Sequence, residues 1–407
     1  MVSLFVIAAS LLWSHWYIDF AQGCIAAEKD ALLKVKAQIT EDPTMCLVSW
    51  RASSADCCKW SRVTCDPDTG HIVELYLRNC FFKGTISSSV GKLTKLKSLN
   101  VYFSKLNGSL PAEIGSLERL EVLELQINQL DGEIPSSIGR LSRLRVLDLS
   151  DNRFTGSLPA SIGNLKALEH FRVYGNSLKG TLPESLGGLT ALETFEAYDN
   201  QFRGGIPSSI GNLTKLRILN LYSNQLNGIL PSTIGALTSL EMLVLHSNRL
   251  RGAIPESLKN LVELETLALF GNRLRDFIPD VFGSLKKLQF ATLSDNRFRG
   301  DIPTSLASLD KLVSLDVSRN AMSGQIPEAL AGSSGLSNLD FSDNQLSGVI
   351  PMKIMALPEL RYFNVSNNRL HGQIPQVGRF SASAFMGNPG LCDAPLPPCT
   401  ASSEEST

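Results

Sequence analysis

The chain repeats itself at a constant interval. An asparagine recurs at positions 128, 152, 176, 200, 224, 248, 272, 296, 320, 344 and 368, and two earlier segments fit the same frame with Cys80 and Ser104 in its place. Residues 146–165, VLDLSDNRFTGSLPASIGNL, show the unit, whose consensus LxxLxLxxNxLxGxIPxxIGxLxx occurs thirteen times. One such unit cannot bury its own apolar edge, so units of this length are stable only when they stack. The repeat therefore predicts an elongated solenoid rather than the two or three globular domains that 407 residues would otherwise suggest.

The segment LxxLxL predicts a short β-strand. In the quoted unit, Leu147 and Leu149 point into the core, while Val146, Asp148 and Ser150 point outward. The asparagine that follows lies where the chain turns inside the stack. Its amide both donates and accepts hydrogen bonds, so a column of asparagines should form a hydrogen-bonded ladder along the solenoid.

The second half of the unit predicts a turn and a short helix. A glycine four positions after the asparagine permits a backbone conformation that other residues avoid, and Pro159 stops a regular strand. The SIGNL segment then forms a helical turn that buries Ile162 and Leu165. The fold class that we predict is an α/β repeat solenoid, a curved right-handed superhelix. Its parallel β-sheet lies on the concave face and its short helices on the convex face, and twelve steps of about 4.8 Å give an arc of about 58 Å.

The flanks divide the chain into four predicted parts. Residues 1–23 have an apolar run at 2–13 and small residues at Ala21 and Gly23, which fits a signal peptide cut near Cys24. A cysteine-rich cap follows over 24–71, the repeats occupy 72–379, and a second cap with an acidic tail occupies 380–407. We therefore expect an exported protein, either a secreted binder or the ectodomain of a longer membrane receptor.

Composition argues against several classes of function. The formal net charge is −1, so general attraction to nucleic acid or to anionic lipid is not expected. The five histidines are scattered without the Cys/His spacing of a zinc site, and we expect no cofactor and no metal. Glu124 and Asp148 lie on adjacent strands about 5 Å apart, as in a retaining glycosidase. Because nothing encloses them or shifts a pKa, we expect no catalysis.

The position two before the ladder asparagine distinguishes the middle repeats from the others. In the last four repeats it is serine, whereas five consecutive middle repeats carry a ring: Tyr174, Tyr198, Tyr222, His246 and Phe270. We predict that these five residues form an aromatic strip on the inner wall that binds a protein, a peptide or a glycan. Two other interpretations are that the rings only stabilise the sheet by stacking across strands, or that they cluster by chance.

A polar row accompanies the aromatic strip two positions earlier on each strand. Arg172 lies between Asp148 and Glu196 of the neighbouring strands. This row is either a weak surface ion-pair network or a polar edge that orients the partner, and we predict that all three residues belong to the binding site. A further column widens the patch towards apolar character, through His170, Thr194, Ile218, Met242 and Thr266.

The repeat and both flanks resemble plant-specific extracellular leucine-rich repeat proteins. The LxGxIP segment, the cap CIAAEKDALLKVKAQITEDPTMCLVSW with CCKWSRVTCD, and the terminal FMGNPGLCDAPLPPC carry the resemblance. It covers receptor-like proteins, receptor kinases and polygalacturonase-inhibiting proteins. The resemblance implies three disulfides: Cys24–Cys57, Cys58–Cys65 and Cys392–Cys399. It leaves Cys80 either as a buried free thiol, the alternative that we favour, or bridged to Cys46.

The resemblance implies recognition in cell-surface signalling or defence, with a membrane receptor kinase as one class of partner. The alternative is an inhibitor of a wall-degrading enzyme such as a microbial polygalacturonase, although such inhibitors usually have ten repeats and four C-terminal cysteines. A structural role in wall or ice contact is a third option. Peptide-hormone receptors of this type often carry an Arg-x-Arg pair on a C-terminal strand to bind a free carboxylate. This chain has Asp316/Ser318 and Asp340/Ser342 there, which disfavours a receptor of that type.

Two further features are specific to single repeats. The N-glycosylation sequons predict glycans at Asn107, at Asn212 and, on the inner wall, at Asn364, unless that last site is unmodified. Asp276 replaces the usual glycine. Aspartate is one of the less costly substitutes at a positive φ, and the exchange could also mark a contact on the side of the solenoid.

Overall fold

A computed structural model describes residues 23–376 and 379–399, so most of the predicted signal peptide and the acidic tail lie outside the described residues. The repeats form one parallel sheet of thirteen strands, and an antiparallel strand from the N-terminal cap extends it to fourteen. Neighbouring strands pair in register at the interval of the sequence repeat, as Phe171 does with Phe195. The predicted solenoid with its parallel sheet is confirmed.

The strands of this sheet are short because each ends where its repeat turns. Their bounds are Val63–Cys65, Ile72–Tyr76, Ser98–Asn100, Val122–Glu124, Val146–Asp148, His170–Arg172, Thr194–Glu196, Ile218–Asn220, Met242–Val244, Thr266–Ala268, Phe290–Thr292, Ser314–Asp316, Asn338–Asp340 and Tyr362–Asn364.

A second series of strands runs along one flank of the solenoid, after the ladder asparagines. Within the repeats, paired residues are two positions closer in sequence than the repeat interval, as for Arg251 and Arg273, whereas the two cap strands pair at other intervals. The bounds are Ile39–Glu41, Lys83–Thr85, Lys105–Ser109, Gln129–Asp131, Lys179–Thr181, Gln201–Gly204, Gln225–Leu226, Arg251–Gly252, Arg273–Phe277, Arg297–Gly300, Ala321–Met322, Ser347–Gly348, Arg369–Gln373 and Gly390–Cys392. These strands form four separate sheets, which we call the flank sheets and which the sequence analysis did not predict.

The helical segment of each repeat lies opposite the main sheet and is a 3₁₀-helix in all but one repeat. Pro159 precedes its helix with φ −68° and ψ 139°, an extended conformation that ends the strand region as predicted. The 3₁₀-helices are Cys57–Lys59, Ser88–Lys92, Ala112–Ser116, Ser136–Arg140, Ala160–Asn164, Glu184–Gly188, Ser208–Asn212, Ser232–Ala236, Glu256–Asn260, Phe282–Ser284, Thr304–Ser308, Glu328–Gly332 and Ala382–Ala384; the α-helices are Ala26–Ala37 and Met352–Met355.

A single apolar core runs the length of the stack, from Ala31 in the first helix to Leu391 in the C-terminal cap. The inward leucines of the strands and the apolar residues of the helical turns meet there, and Ile162 and Leu165 are buried as predicted. Among the described residues, no helix combines the length and apolar character needed to cross a bilayer.

The asparagine ladder forms, and it runs through backbone groups. The Nδ2 of Asn200 donates to the carbonyls of Val173, Ala197 and Tyr198, at 2.9, 3.3 and 3.1 Å, and its Oδ1 accepts from Leu178 N. Each amide thus ties its own turn to the preceding repeat. Asn388 of the C-terminal cap makes the same bonds to the last repeat, a rung that the sequence analysis missed.

Disulfides secure both ends of the solenoid. The structure contains the three pairings that the resemblance implies, and a fourth joins the two remaining cysteines. The expectation of a free thiol at Cys80 is therefore wrong. Cys80 occupies the ladder position of the first repeat, and the bridge to Cys46 links the N-terminal cap to that repeat instead of an amide.

Candidate ligand-binding face

The five predicted rings form one continuous stack on the concave face. Successive ring centroids are 4.3, 4.5, 4.5 and 4.1 Å apart from Tyr174 to Phe270, and adjacent planes deviate by no more than 13°. All five residues are half-buried, so part of each stays open to solvent. The alignment that the repeat period predicts is thus present in the structure.

The asparagine ladder positions the rings. Each ladder asparagine donates to the carbonyl of the residue two before it, which is the strip residue of the same repeat: Asn176 to Tyr174 at 3.1 Å and Asn224 to Tyr222 at 3.2 Å are examples. The carbonyl of Tyr222 also accepts from Asp199 N of the preceding repeat, at 3.1 Å. Because the backbone is fixed on both sides, the side chains leave it in the same direction.

Three rings of the strip, those of Tyr198, Tyr222 and His246, have shifted pKa values that keep them uncharged near neutral pH. Burial, followed by the neighbouring tyrosine and Glu196, raises the pKa of Tyr198 far above its ordinary value. Burial and then Asp199, whose Oδ2 is 3.4 Å from the hydroxyl, raise the pKa of Tyr222. Burial lowers the pKa of His246 from its ordinary value of 6.5. The strip therefore presents polarisable ring edges and phenol groups rather than charge.

The predicted ion-pair row is present, but one of its members is covered. Arg172 Nε lies 3.0 Å from Glu196 Oε2, and Arg172 Nη1 lies 3.8 Å from Asp148 Oδ2. Asp148 is only 5 % exposed, and its Oδ1 accepts from the amide and hydroxyl of Ser150, which is itself fully buried. Asp148 and Ser150, which are predicted to point outward, are both buried because neighbouring repeats cover them. Asp148 can influence a ligand only through Arg172.

An acidic edge borders the strip on its other side, and the sequence analysis missed it. Asp151 and Asp199 directly precede ladder asparagines and have φ values of 50° and 49°. Burial, then Asp148 and Asp199, raise the pKa of Asp151. The sequence does carry a signal, because Asp, Gly, Ser and Asn recur at this position and tolerate the left-handed conformation better than most residues.

The C-terminal half of the patch is more apolar than the half around Arg172. Val244 and Ala268 occupy the strand position that Arg172 and Glu196 occupy in earlier repeats, and these two apolar residues are small and buried. Met242 and Phe290 beside them are 36 % and 43 % exposed. Of the remaining predicted column, His170 contacts Thr194, which is buried, while Ile218 and Thr266 are half-buried. The concave face thus passes from charged to apolar along the stack.

The repeats beyond the strip are polar and occupied by internal bonds. Asp340 Oδ1 accepts from Ser342, while its Oδ2 accepts from the hydroxyl of Tyr362 at 2.9 Å. The amide of Asn364 contacts the same carboxylate. Asn107 and Asn212 are exposed, and glycosylation of all three sequons stays a prediction.

Comparisons with known proteins agree with this architecture. The family model for the leucine-rich repeat region matches residues 71–198 and 174–374, and that for the leucine-rich repeat N-terminal domain matches 25–66. Receptor-like protein 48 of Arabidopsis thaliana is 37 % identical over 94 residues, covering 21 % of this chain and 11 % of that protein. Polygalacturonase inhibitor 1 of Oryza sativa subsp. japonica is 35 % identical over 80 residues, covering 19 % of this chain and 23 % of that protein.

A solved structure shows the same fold over a longer stretch. The plant peptide hormone receptor RGFR1 in complex with RGF2 superposes with a TM-score of 0.66 at 32 % identity, covering 76 % of this chain and 54 % of that chain. The alignments therefore span a small part of the two curated relatives and about half of the solved receptor chain.

Proposed function

The chain belongs to the leucine-rich repeat family, and from that premise we propose that it is a non-catalytic extracellular recognition protein of plant cell-surface signalling or defence. Its ligand is a protein or peptide that binds the concave face at the aromatic strip. The observation that carries the proposal is the unbroken stack of five rings, confined to five of thirteen repeats and partly open to solvent. The four disulfides support an extracellular location, because such bonds persist in oxidising compartments.

The charges around the strip favour a ligand with a basic side chain. Glu196 and Asp199 flank Tyr198 in the sequence and are both acidic. Arg172 forms an ion pair with Glu196, which leaves the charge of Asp199 without this cation. A lysine or arginine of the ligand placed over the tyrosines would gain cation–π attraction and a carboxylate partner at the same time. An anionic ligand would meet repulsion from the same groups.

The apolar end of the patch favours a second anchor on the ligand. Met242 and Phe290 are exposed at this end of the patch, next to the buried Val244 and Ala268. An aliphatic or aromatic side chain of the ligand would pack on these two exposed side chains and displace water from apolar surface. We therefore propose an extended peptide segment with a basic residue near Tyr198 and an apolar residue near Met242 and Phe290.

A peptide-display selection against the purified protein tests this proposal. We expect the selected peptides to combine a basic and an apolar residue, and we expect the double variant Tyr198→Ala/Tyr222→Ala to lose at least tenfold in affinity for them. The matched control is Tyr76→Ala/Tyr362→Ala, which removes two exposed tyrosines of the main sheet outside the strip. Equal binding by both double variants, with both folded, would show that the strip is not the site.

Inhibition of a polygalacturonase is the second candidate, supported by the similarity to the rice inhibitor. Purified protein is titrated into microbial polygalacturonases and reducing-sugar release is measured. Dose-dependent inhibition that disappears in Tyr198→Ala/Tyr222→Ala would assign the strip to enzyme inhibition. Unchanged activity across a panel of such enzymes would rule out this second candidate and favour the recognition function.

A further inference from the structure

Six arginines gather on the flank of three consecutive repeats. They occupy the first and third positions after the ladder asparagine: Arg249, Arg251, Arg273, Arg275, Arg297 and Arg299. None of the other repeats has two lysines or arginines at these positions. The arginine patch, as we call these six residues, therefore belongs to a limited part of the solenoid, as the aromatic strip does, but on a different surface.

One flank sheet contains the strands Arg251–Gly252, Arg273–Phe277 and Arg297–Gly300, and it places the arginines of neighbouring repeats side by side. Arg251 pairs in register with Arg273, and Arg275 pairs with Arg297, on parallel strands about 4.8 Å apart. All six side chains are exposed. Four of them, together with Ile229, line one shallow depression. Like charges directly opposite one another destabilise a sheet, so an anion bound here would reduce the electrostatic repulsion between the arginines.

Little of this charge is neutralised within the described part of the chain. Asp276 is the carboxylate within ion-pair distance, 3.3 Å from Arg299 Nη2 and 3.9 Å from Arg275 Nε. No carboxylate of the described residues forms an ion pair with the other four guanidinium groups. Asp276 occupies a position that is glycine in the other repeats, and its φ is 71°, so the predicted positive φ is confirmed. Its carboxylate lies beside Arg275 and Arg299 of the arginine patch.

We propose that the arginine patch binds an acidic polysaccharide of the polyuronate class. A guanidinium group matches a carboxylate through two parallel hydrogen bonds. Successive arginines recur at the strand spacing of about 4.8 Å, so a polymer that carries a carboxylate on every sugar ring can engage several of them at once. An extended acidic peptide also carries repeated carboxylates, about 6.7 Å apart on one face, but it has no sugar ring for Phe277 and Ile229 to contact. The exposed rings and aliphatic groups of Phe277 and Ile229 offer surface for the apolar faces of sugars.

Binding of the purified full chain to polygalacturonate tests this inference, with the fully methyl-esterified polymer as the uncharged counterpart. We expect binding to the acidic form only, with affinity that falls as sodium chloride increases. Arg251→Gln/Arg273→Gln/Arg297→Gln should reduce the affinity at least tenfold. Asp276→Gly should raise the affinity severalfold, because it removes the competing carboxylate and supplies the residue that prefers positive φ.

The matched control is Arg119→Gln/Arg140→Gln/Arg143→Gln, which changes the net charge equally at exposed positions outside the patch. We expect less than a twofold effect. Equal losses in the two triple variants, both verified as folded by thermal melting, would reduce the effect to net charge and overturn the proposal. Equally tight binding of polyglutamate or duplex DNA would also overturn it. The site is independent of the concave face, so Tyr198→Ala/Tyr222→Ala should bind polygalacturonate normally.

Discussion

Tyr198 lies face to face with Tyr222, with ring centroids 4.5 Å apart and planes 10° apart. Tyr198 makes the same contact with Tyr174 on its other side. Since each aromatic pair contributes about 0.5–1.5 kcal/mol beyond area burial, losing two pairs in Tyr198→Ala should lower the free energy of unfolding by at least about 1–3 kcal/mol, and the lost burial of the ring adds to this. Urea denaturation measures this loss. Tyr76→Ala, which removes an exposed tyrosine with no ring partner in the described structure, should cost less; an equal loss would show that stacking contributes nothing.

His246 should make stability depend on pH. Burial lowers the pKa of its imidazole in the folded protein below the ordinary 6.5. As pH falls through 6.5, the unfolded chain takes up this proton before the folded protein does, so stability decreases with decreasing pH. Above that range the group is neutral in both states and contributes no pH dependence. The melting temperature of wild type should fall more between pH 7.5 and pH 5 than that of His246→Gln. Parallel pH profiles would contradict this account.

Arg172 should stabilise the buried carboxylate of Asp148. Arg172→Met removes a cation 3.8 Å from a side chain that is 5 % exposed, leaving that charge without its partner. We expect a loss of about 1–3 kcal/mol in unfolding free energy. Asp148→Asn in the same background should recover part of it. A double-mutant cycle from chemical denaturation gives the coupling, and additive effects would show that the two groups act independently.

Removing one rung of the ladder should weaken the whole stack. Asn200→Ala leaves the Leu178 amide and three carbonyls without their side-chain partner, and we expect a loss of about 2–4 kcal/mol. Asn227→Ala changes an exposed asparagine of the next repeat and should cost less than about 0.5 kcal/mol. Denaturation curves of the two variants should differ clearly. Similar midpoints would mean that water replaces the missing amide.

The bridge between Cys46 and Cys80 should be detectable chemically. Alkylation of the denatured but unreduced protein should modify none of the cysteines from Cys24 to Cys399, because all eight are paired. Cys46→Ser/Cys80→Ser should lower stability by about 2–5 kcal/mol, as for other native disulfides. Mass spectrometry after alkylation provides the count. Two labelled sites in the wild-type protein would restore the free-thiol interpretation.

The sequence predicts the scaffold well because the same constraint is repeated in every unit. The inward leucines, the turn asparagine and the glycine with positive φ each have one physical role, and thirteen copies make the pattern unambiguous. The alignment of Tyr174 with Tyr198 and Tyr222 follows directly from that period. Exposure is harder to predict, because it depends on neighbours. Asp148 points to the concave side, yet the adjacent repeats cover it.

Features that depend on a different register are missed when the repeats are aligned on their asparagines. The flank sheets pair positions that are closer in sequence than one full repeat, so that alignment does not show the pairing of Arg251 with Arg273. The choice between a free Cys80 and a bridge to Cys46 depends on how the cap folds back onto the first repeat, which no repeat position encodes. Asn388 was missed because it follows Asn368 at less than the repeat interval.

Asn388 completes the last rung by bonding only to main-chain atoms, at Leu370, Val365 and Phe385. Main-chain atoms are the same in every copy, so these hydrogen bonds do not depend on the side chains of the preceding repeat, whereas the ring contacts of Phe363 with Phe380 and Phe385 do. Gene duplication can therefore add or remove whole repeats while the hydrogen bonds of the C-terminal cap are kept. Evolution can thus change the number of repeats and their variable concave-face residues while Asn388 and its hydrogen bonds stay the same.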